Sequence, residues 1–403
     1  MSGPLDSYRV VELTSTVSGP IAGMILADQG ADVIKIEPPM IGDLARYMGS
    51  SRNGMGAMYA VLNRNKRSLV LDFKEASDKN IFSKLIQTAD VLIENYRPGV
   101  VKKLGIDYDT LRVLRPELIY VSISGYGQTG PYSNRRVYDP LIQASSGTAA
   151  EQSKSRPTNV RTVMFDKVTG FTAAQAITAA LLQRVKTGFG QYIPISMLAS
   201  ALYYQWPDFM WSHTLLGEGV NHAGELADYF QVYKAKDGYV AVILVSDEHF
   251  RILCGLFGSE LIDDPRFSSF PSRIINADEL RSALDAVFSE ALVDDICKQL
   301  DVNNVPCSRV NTLEDIHRDE QVIHEEALVE IDHPVAGPMR FASTPFQFTG
   351  QGNFLKSHAA TLGEHNREIL LELDVPEMEI KKAEERERLN REKMADFNLS
   401  QAK

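Results

Sequence analysis

Short β-rich runs alternate with helical segments from Arg9 to Ser122, and this alternation limits the chain to few folds. The pattern is typical of parallel α/β sheets, because parallel strands need crossover connections that are usually helical. The predicted strands are Arg9–Leu13, Asp32–Glu37, Ser68–Asp72, Asp90–Glu94 and Leu118–Ser122, and the predicted helices are Ile21–Gln29, Asn80–Thr88 and Tyr108–Leu114. The sequence therefore predicts an α/β fold with a Rossmann-like beginning.

The pattern changes after a predicted long helix, Thr172–Arg184, and the strand that follows it, Tyr192–Ser196. Residues 226–325 combine a predicted strand pair with two helical stretches, which indicates a smaller α+β domain. Residues 201–225, which hold both tryptophans, predict a linker into that domain. Residues 376–403 are densely charged and poor in large apolar side chains, so we expect a solvated helical or frayed tail.

Composition excludes several classes of function. The 403 residues carry a formal net charge of −11, which argues against non-specific nucleic-acid binding through clustered Lys and Arg. Cys254, Cys297 and Cys307 lack CxxC spacing, so neither a disulfide framework nor a metal site is expected. The first residues lack a basic start followed by an apolar stretch, and no uncharged run of roughly 18 residues appears later, so we expect no export and no membrane span. We therefore expect a cytoplasmic protein with no nucleic-acid or membrane partner.

The turn after the first predicted strand, Thr14–Pro20, has one glycine, whereas dinucleotide-binding folds need GxGxxG for close approach to pyrophosphate. The phosphate loop of NTPases, GxxxxGK[ST], is also missing from the sequence. NAD, FAD and nucleoside triphosphates are therefore disfavoured. The fold still predicts a ligand crevice at the carboxyl ends of the strands, lined by Thr14–Ser18, Glu37–Asp43, Asp72–Lys74 and Asn95–Arg97.

Basic residues concentrate beside this predicted crevice although the whole chain is acidic. The set comprises Arg46, Arg64, Lys66, Arg67, Lys74, Arg97, Lys102, Lys103, Arg135 and Arg136. It is either a solvated surface or the local positive field that a polyphosphate ligand requires. An anionic cofactor is consistent with the sequence, which does not identify it.

Asp166 stands just before a long apolar helical run, Phe171–Val185. As a helix cap, its carboxylate would face unpaired N–H groups and the positive end of the helix dipole, which would keep it ionised. Such a carboxylate could attack an electrophile. It could equally be structural, because Asp is a favoured N-cap residue in any helix. This segment alone leaves both interpretations open.

Short blocks in order along nearly the whole chain give it a resemblance to a known family. The blocks are Leu13–Pro20, Gly30–Glu37, Gly42–Asp43, Asn63–Ser68, Leu71–Lys74, Glu94–Gly99, Ser124–Gly127, Gly130–Pro131, Tyr138–Asp139, Asp166, Lys186–Gln191, Asp264–Phe267 and Gly363–His365. Together they resemble the class III CoA-transferases of the CaiB/BaiF group. Each block alone is a weak pattern, whereas the ordered set is specific.

The resemblance implies a large Rossmann-like domain built from residues 1–200 and 326–375, a small middle domain, and a homodimer of two interlocked subunits. It implies an acyl-CoA:carboxylate CoA-transferase whose substrates are acyl-CoA and a small carboxylic acid, with no prosthetic group. Asp166 would be the nucleophile, acting through an aspartyl anhydride and an aspartyl-CoA thioester.

The resemblance also implies binding residues. Leu71, Lys74, Asn95, Lys103 and Arg136 are expected to contact coenzyme A, and Tyr138 and Asp139 are expected near the acyl end. The thioester oxyanion needs N–H or polar donors, and the loop of Thr16, Val17 and Ser18 is the candidate. In the alternative interpretation of this loop, Ser18 caps the first helix.

Two departures from the family limit these expectations. Gly217–Glu225 stands where the oxalate and formate branch carries a run of glycines. The resemblance therefore implies neither oxalate or formate as the substrate nor a glycine-loop lid. The racemase branch carries His-Asp where this chain has Tyr138 and Asp139, and no histidine precedes His213. Two-base racemisation needs a second proton carrier, so a transferase is favoured. A racemase or isomerase and a non-catalytic CoA-binding protein are the alternatives.

Overall fold

The centre of the structure is a six-stranded parallel sheet. The computed structural model describes residues 3–153, 155–221, 230–258, 260–350 and 352–401, with side chains as far as residue 389. The strands are β1 Arg9–Leu13, β2 Asp32–Glu37, β3 Ser51–Arg52, β4 Met55–Gly56, β5 Lys66–Val70, β6 Val91–Glu94, β7 Ile119–Ser124, β8 Gln191–Ser196, β9 Gln231–Lys234, β10 Tyr239–Val242, β11 Cys307–Arg309, β12 Leu328–His333 and β13 Gly337–Ala342.

Helices connect these strands. They are α1 Ser18–Asp28, α2 Ala57–Leu62, α3 Ala76–Thr88, α4 Val100–Leu104, α5 Tyr108–Leu114, α6 Asp139–Ser145, α7 Thr148–Glu151, α8 Met164–Thr187, α9 Met197–Phe209, α10 Asp247–Leu256, α11 Phe270–Ile275, α12 Ala277–Phe288, α13 Val293–Val302, α14 Glu320–His324, α15 Asn366–Glu372 and α16 Glu377–Gln401. In the described part of the chain, none is long and apolar enough to cross a membrane.

The central sheet has the strand order β5-β2-β1-β6-β7-β8, with every pair parallel. Its strands are apolar on both faces because helices cover both sides. On β1, Val10 packs in the cluster formed with α1 and α8, whereas Val11 packs in the opposite cluster with α3, α5 and α15. The strand order reverses between β1 and β6, so the fold places its ligand crevice at their carboxyl ends.

Several predicted bounds are confirmed, and others differ from the structure by one to eight residues. β1, β2 and α5 begin and end where the sequence predicts. β5 begins at Lys66 instead of Ser68. The charged Lys66 can belong to a buried strand because its side chain forms an ion pair inside the protein. α8 begins at Met164, eight positions before the predicted Thr172.

The chain divides into two compact units, which we call the large unit (Met1–Tyr204 with Glu326–Lys403) and the small unit (Gln205–Glu325). In the small unit, β9, β10 and β11 form an antiparallel sheet that packs with α10, α12 and α13 around Phe288 and Leu253. Residues 222–229 lie outside the described residues. They include part of the predicted linker, part of the Gly217–Glu225 segment and the predicted start of the small domain.

The charged segment predicted as a solvated tail forms α16 of the large unit. Its Ile380 is fully buried in the core cluster that also contains Ile369 and Leu370 of α15. Before it, β12 and β13 pair as an antiparallel hairpin. The first turns of α16 therefore belong to the packed fold.

A network of buried charges lies inside the large unit near the carboxyl ends of β1 and β2. Lys35 contacts Glu12 at 2.8 Å and Asp43 at 2.9 Å, and Lys66 contacts Glu12 at 2.7 Å. These four side chains are at most 1% exposed. Burial alone would raise the pKa of Glu12, but the two lysines outweigh it and lower that pKa.

Replacing Lys35 by methionine tests whether this network holds the fold. The substitution leaves Glu12 and Asp43 buried with one cation fewer, which should lower the free energy of unfolding by about 3–5 kcal/mol. Urea unfolding measures the change. The control is Arg340→Met, which breaks an exposed ion pair with Glu330 and should cost less than about 1 kcal/mol. Equal losses in both variants would contradict this role.

Candidate active site

The loop between β1 and α1 occupies the point where the strand order reverses. Its Thr16 has φ of 68°, in the left-handed region that residues with a β-branched side chain rarely adopt. The Thr16 N–H donates to Asp43 Oδ1 at 2.9 Å, and the Thr14 carbonyl accepts from Lys35 Nζ at 2.8 Å. The strained turn is therefore held by members of the buried charge network.

Asn95, the first residue after β6, fixes the same loop from the other side. Its amide oxygen accepts the Ser15 N–H at 3.0 Å, and its amide nitrogen donates to the Ser15 carbonyl at 2.9 Å. Asn95 was expected to contact coenzyme A. In the structure its side chain bonds the backbone of Ser15 and so helps to fix the position of this loop.

Asp166 is the third residue of α8, whose N-cap is Val163. The prediction that Asp166 caps the helix is therefore wrong by three residues, because the helix extends back through Met164 and Phe165. Hydrogen bonding from the Ser18 hydroxyl and backbone N–H lowers the pKa of its carboxylate. Since Ser18 is the first residue of α1, this carboxylate lies near the N-terminus of a different helix from its own.

Gly170 allows α1 and α8 to approach closely. A Cβ at Gly170 would lie 2.7 Å from the Ile21 side chain and from the Ser18 carbonyl oxygen. The spacing between the two helices therefore depends on this glycine. A Cβ at Gly19 would lie 2.3 Å from Thr14, so Gly19 allows the tight turn at the start of α1.

Asp139 is the second carboxylate at the site. Its side chain is buried, and Oδ2 accepts the backbone N–H of Asp166 at 2.9 Å. Gln143, one turn later on α6, donates to Asp139 Oδ1 at 2.5 Å and also bonds the Thr162 carbonyl and the Val160 N–H. Asp139 and Gln143 thereby tie α6 to the segment that leads into α8.

The electrostatic surroundings raise the pKa of Asp166 to about 6. Burial contributes most, the nearby Asp139 carboxylate adds to it, and the hydrogen bonds from Ser18 oppose both. The expectation that a helix N-terminus keeps Asp166 ionised therefore holds only above this raised pKa. A more basic carboxylate is a better nucleophile, and above the raised pKa it is still ionised.

The candidate oxyanion donors are partly committed to other partners. The Thr16 N–H binds Asp43 and the Ser18 N–H binds Asp166. Ser18 does not cap α1, whose N-cap is Val17 without a side-chain cap bond. The N–H groups of Val17 and Gly19 lie at the start of α1, where backbone N–H groups have no acceptor within the helix. They are therefore the better candidates for oxyanion donors.

The other predicted binding residues lie on loops and helices around the strand ends. Lys74, Lys103, Arg136 and Tyr138 are exposed, with Tyr138 at 72%. Leu71 is 3% exposed and belongs to the hydrophobic core, so its side chain is not available to a ligand.

Part of the predicted basic set is not available to a ligand. Arg64 pairs with Asp28, Arg67 with Asp32, Arg46 with Glu37 and Lys66 with Glu12. These four cations neutralise carboxylates of the protein itself. The positive field expected for a polyphosphate must therefore come from the exposed members, which are Lys74, Arg97, Lys102, Lys103, Arg135 and Arg136.

Sequence reasoning missed Glu12, Lys35 and Gln143. Glu12 and Lys35 interrupt the apolar runs of β1 and β2, and two opposite charges inside adjacent buried strands could have signalled an internal pair. Gln143 follows Asp139 by four residues, which places both on one face of α6. In the described part of the chain, no cluster of His, Cys, Asp and Glu could hold a metal ion.

Residues 5–366 match the family model described as CoA-transferase family III. The chain belongs to this family. The succinyl-CoA:glutarate CoA-transferase of Mus musculus is 34% identical over 385 residues, which cover 92% of this chain and 86% of that protein. The acetyl-CoA:oxalate CoA-transferase of Acetobacter aceti is 38% identical over 296 residues, or 72% of this chain and 76% of that protein.

Solved structures agree with the family assignment. The crystal structure of a CaiB/BaiF family protein from Brucella suis matches with a TM-score of 0.81 at 32% identity, covering 93% of this chain and 100% of that one. The protein is therefore a class III CoA-transferase, an enzyme family whose members use CoA or acyl-CoA as substrate.

Asp166→Asn should stabilise the protein in a pH-dependent way. Between the ordinary value of 3.8 and about 6, the folded chain keeps a proton that the unfolded chain has lost, so stability falls as pH rises through this window. At about pH 8 the variant should gain on the order of 2 kcal/mol in unfolding free energy, and at about pH 4 the gain should vanish.

Urea unfolding at both pH values measures the effect. The control is Asp109→Asn on α5, whose side chain is 80% exposed and which should change stability by less than about 0.5 kcal/mol. A destabilised Asp166→Asn protein at the higher pH would contradict the assigned electrostatics.

Gly170→Ala should push α8 away from α1. The new Cβ meets Ile21 and the Ser18 carbonyl, so we expect a loss of about 1–3 kcal/mol in unfolding free energy. The matched control is Gly255→Ala in α10, where a Cβ meets no atom within 4 Å. That variant should gain up to about 1 kcal/mol, because alanine favours helices. A neutral Gly170→Ala would show that the close approach is unnecessary.

Proposed function

We propose that this enzyme transfers coenzyme A between an acyl-CoA donor and a carboxylic acid acceptor, with Asp166 as the covalent nucleophile. The observation that carries the proposal is the Asp166 carboxylate itself. The residue is partly buried, its carboxylate lies near the N-terminus of α1 beside the strand reversal, and its pKa is raised to about 6. A desolvated, more basic carboxylate next to helix N–H groups suits attack on a thioester.

The first half of the reaction forms and then resolves an anhydride. Asp166 Oδ attacks the thioester carbonyl carbon, the C–S bond breaks, and CoA leaves as a thiolate. The thiolate then attacks the Asp166 carboxyl carbon, which gives an aspartyl-CoA thioester and releases the donor acid as its carboxylate. The N–H groups of Val17 and Gly19 would stabilise the oxyanion of the tetrahedral intermediates.

The second half runs the same steps in reverse. The acceptor carboxylate attacks the aspartyl thioester, expels CoA thiolate and forms an acceptor–aspartyl anhydride. The thiolate attacks the acceptor carbonyl carbon, and Asp166 is released as a carboxylate. Charge and atoms balance at each step, so no metal or redox cofactor is required.

We assign the other site residues by role. The large unit would bind CoA as its Rossmann-like domain, with the small unit as the middle domain. Lys74, Lys103 and Arg136 are exposed cations that would neutralise the CoA phosphates. Asn95, Asp139 and the Thr16–Ser18 loop would hold the reacting end, and the exposed Tyr138 would contact the acyl group.

We also propose an interlocked homodimer in the cytoplasm. Phe171, Leu182 and Val185 share one face of α8 by their spacing and are between 59% and 71% exposed, which is the kind of surface that a subunit contact covers. The three free cysteines suit a reducing compartment. Sedimentation equilibrium would measure a dimer mass, and a monomer at micromolar concentration would contradict the assembly.

Trapping the intermediates tests the mechanism. Incubation with an acyl-CoA followed by hydroxylamine should convert Asp166 to its hydroxamate, and borohydride should reduce the aspartyl thioester to an alcohol, both detected by peptide mass spectrometry. Asp166→Asn should lower kcat by at least about a thousandfold, because an amide cannot form these intermediates.

Asp109→Asn is the control for the kinetic loss and should keep full activity. An unmodified Asp166 together with α-proton exchange into deuterated water would favour the racemase. CoA binding with neither adduct nor exchange would favour a non-catalytic binding protein.

A further inference from the structure

The C-terminal helix α16 reaches the edge of the crevice. Ile380 anchors it in the core cluster that includes Leu71, and Arg367 of α15 pairs with Glu377 and Glu384 at 2.8 and 3.0 Å. The match to the family model ends at residue 366, before α16 begins. This helix therefore lies outside the part of the chain that the family model describes.

Arg386 connects α16 to the loop after β5. Its Nη2 lies 2.6 Å from Oδ1 of Asp78, whose side chain is 2% exposed in the first turn of α3. The other oxygen of Asp78 accepts the Asp72 N–H at 2.8 Å, and Asp72 accepts the Lys74 N–H at 3.0 Å. Three hydrogen bonds thus run in series from α16 to the backbone of Lys74.

Glu387, the next residue of α16, forms a second connection to the same loop. Its Oε2 accepts from Asn366 Nδ2 at 2.5 Å, and Asn366 Oδ1 accepts the Val70 N–H at 2.8 Å. The two connections reach the backbone N–H groups of Val70 and Asp72, on either side of Leu71. Adjacent residues of one helix therefore hold both ends of the short segment that leads to Lys74.

The space between these groups is small. A cavity of about 30 Å³ is lined by residues that include Asp78, Asn366, Arg386 and Glu387. Such a volume holds roughly one water molecule, so little solvent is available to replace a lost partner. If Arg386 is removed, Asp78 keeps its negative charge in a buried position without its cation. The loop that Asp78 holds should then shift or loosen.

We propose that α16 is a positioning element of the acyl-CoA crevice, in which Arg386 and Glu387 fix the Val70–Lys74 segment so that Lys74 meets the phosphates of CoA. The inference rests on the proposed function. Asp166 is held by contacts from α1 and α6 and by its own helix, so the chemical step keeps its geometry when α16 is altered. The effect falls on binding of the CoA portion.

The test compares Arg386→Gln with Arg388→Gln in the full-length enzyme. Arg388 lies two residues further along α16, is 58% exposed and pairs with Glu385 of the same helix. We expect Arg386→Gln to raise both KM for acyl-CoA and the calorimetric Kd for CoA by about fivefold to tenfold. Its kcat should remain unchanged, and Arg388→Gln should match the wild type in all three values.

Two further variants separate positioning from general loss of structure. Arg386→Lys keeps a cation near Asp78 and should recover part of the affinity. Asp78→Asn removes the buried charge that Arg386 compensates, so adding Arg386→Gln to it should weaken CoA binding less than Arg386→Gln does alone. If Arg386→Gln is too unstable to assay, Glu387→Gln measures the second connection, and an unchanged KM in that variant overturns the proposal.

The two possible failures are distinguishable. If Arg386→Gln binds CoA as tightly as Arg388→Gln does, α16 has no positioning role, while the proposed transferase function stands. If the wild-type enzyme itself binds no CoA, the proposed function fails and the inference fails with it.

Discussion

The buried ammonium group of Lys35 is the contact on which the site depends. It pairs with Glu12 of β1 and with Asp43 after β2, and it also binds the Thr14 carbonyl. Asp43 in turn holds the N–H of the strained Thr16. Because charges removed from water require close and complete pairing, this network fixes both the strand ends and the loop conformation. The position of Ser18, and hence its contact with Asp166, follows from it.

The surroundings of Asp166 lower the stability of the protein when this carboxylate is ionised. Burial and Asp139 raise its pKa to about 6, and only the hydrogen bonds from Ser18 oppose them. A carboxylate that is destabilised in the folded protein is more basic, and forming an anhydride removes its negative charge. The close packing at Gly170 holds this unfavourable group against α1. Many enzymes are less stable than they could be because of the residues that their activity requires.

The sequence predicts the parts of the fold that obey local rules. β1 and β2 are confirmed at their predicted bounds because their β-branched and apolar residues are buried on both faces. The first turns of α8 were missed because Asp166 resembles a cap residue, whereas the helix extends back through Phe165 to Met164. The four basic residues with internal partners were misjudged because their carboxylates lie between 9 and 54 positions away in the sequence.

The roles within the site depend on the same distant contacts. Asp139 was expected from the family resemblance, but its bond to the Asp166 N–H and its support by Gln143 are properties of packing between α6 and α8. Asn95 was expected at coenzyme A, and its two bonds to Ser15 join segments 80 residues apart. The contacts of α16 with the β5 loop could not be read from a segment whose composition indicates a solvated helix.

The most direct test of the central claim follows oxygen through one turnover. In the proposed sequence an oxygen of the acceptor carboxylate becomes the bridging oxygen of the anhydride and stays on Asp166 when the new acyl-CoA leaves. An acceptor acid labelled with heavy oxygen in its carboxylate should therefore transfer one label to the peptide that contains Asp166, measured by mass spectrometry. Turnover that leaves this peptide unlabelled would contradict the assignment of Asp166 as the nucleophile.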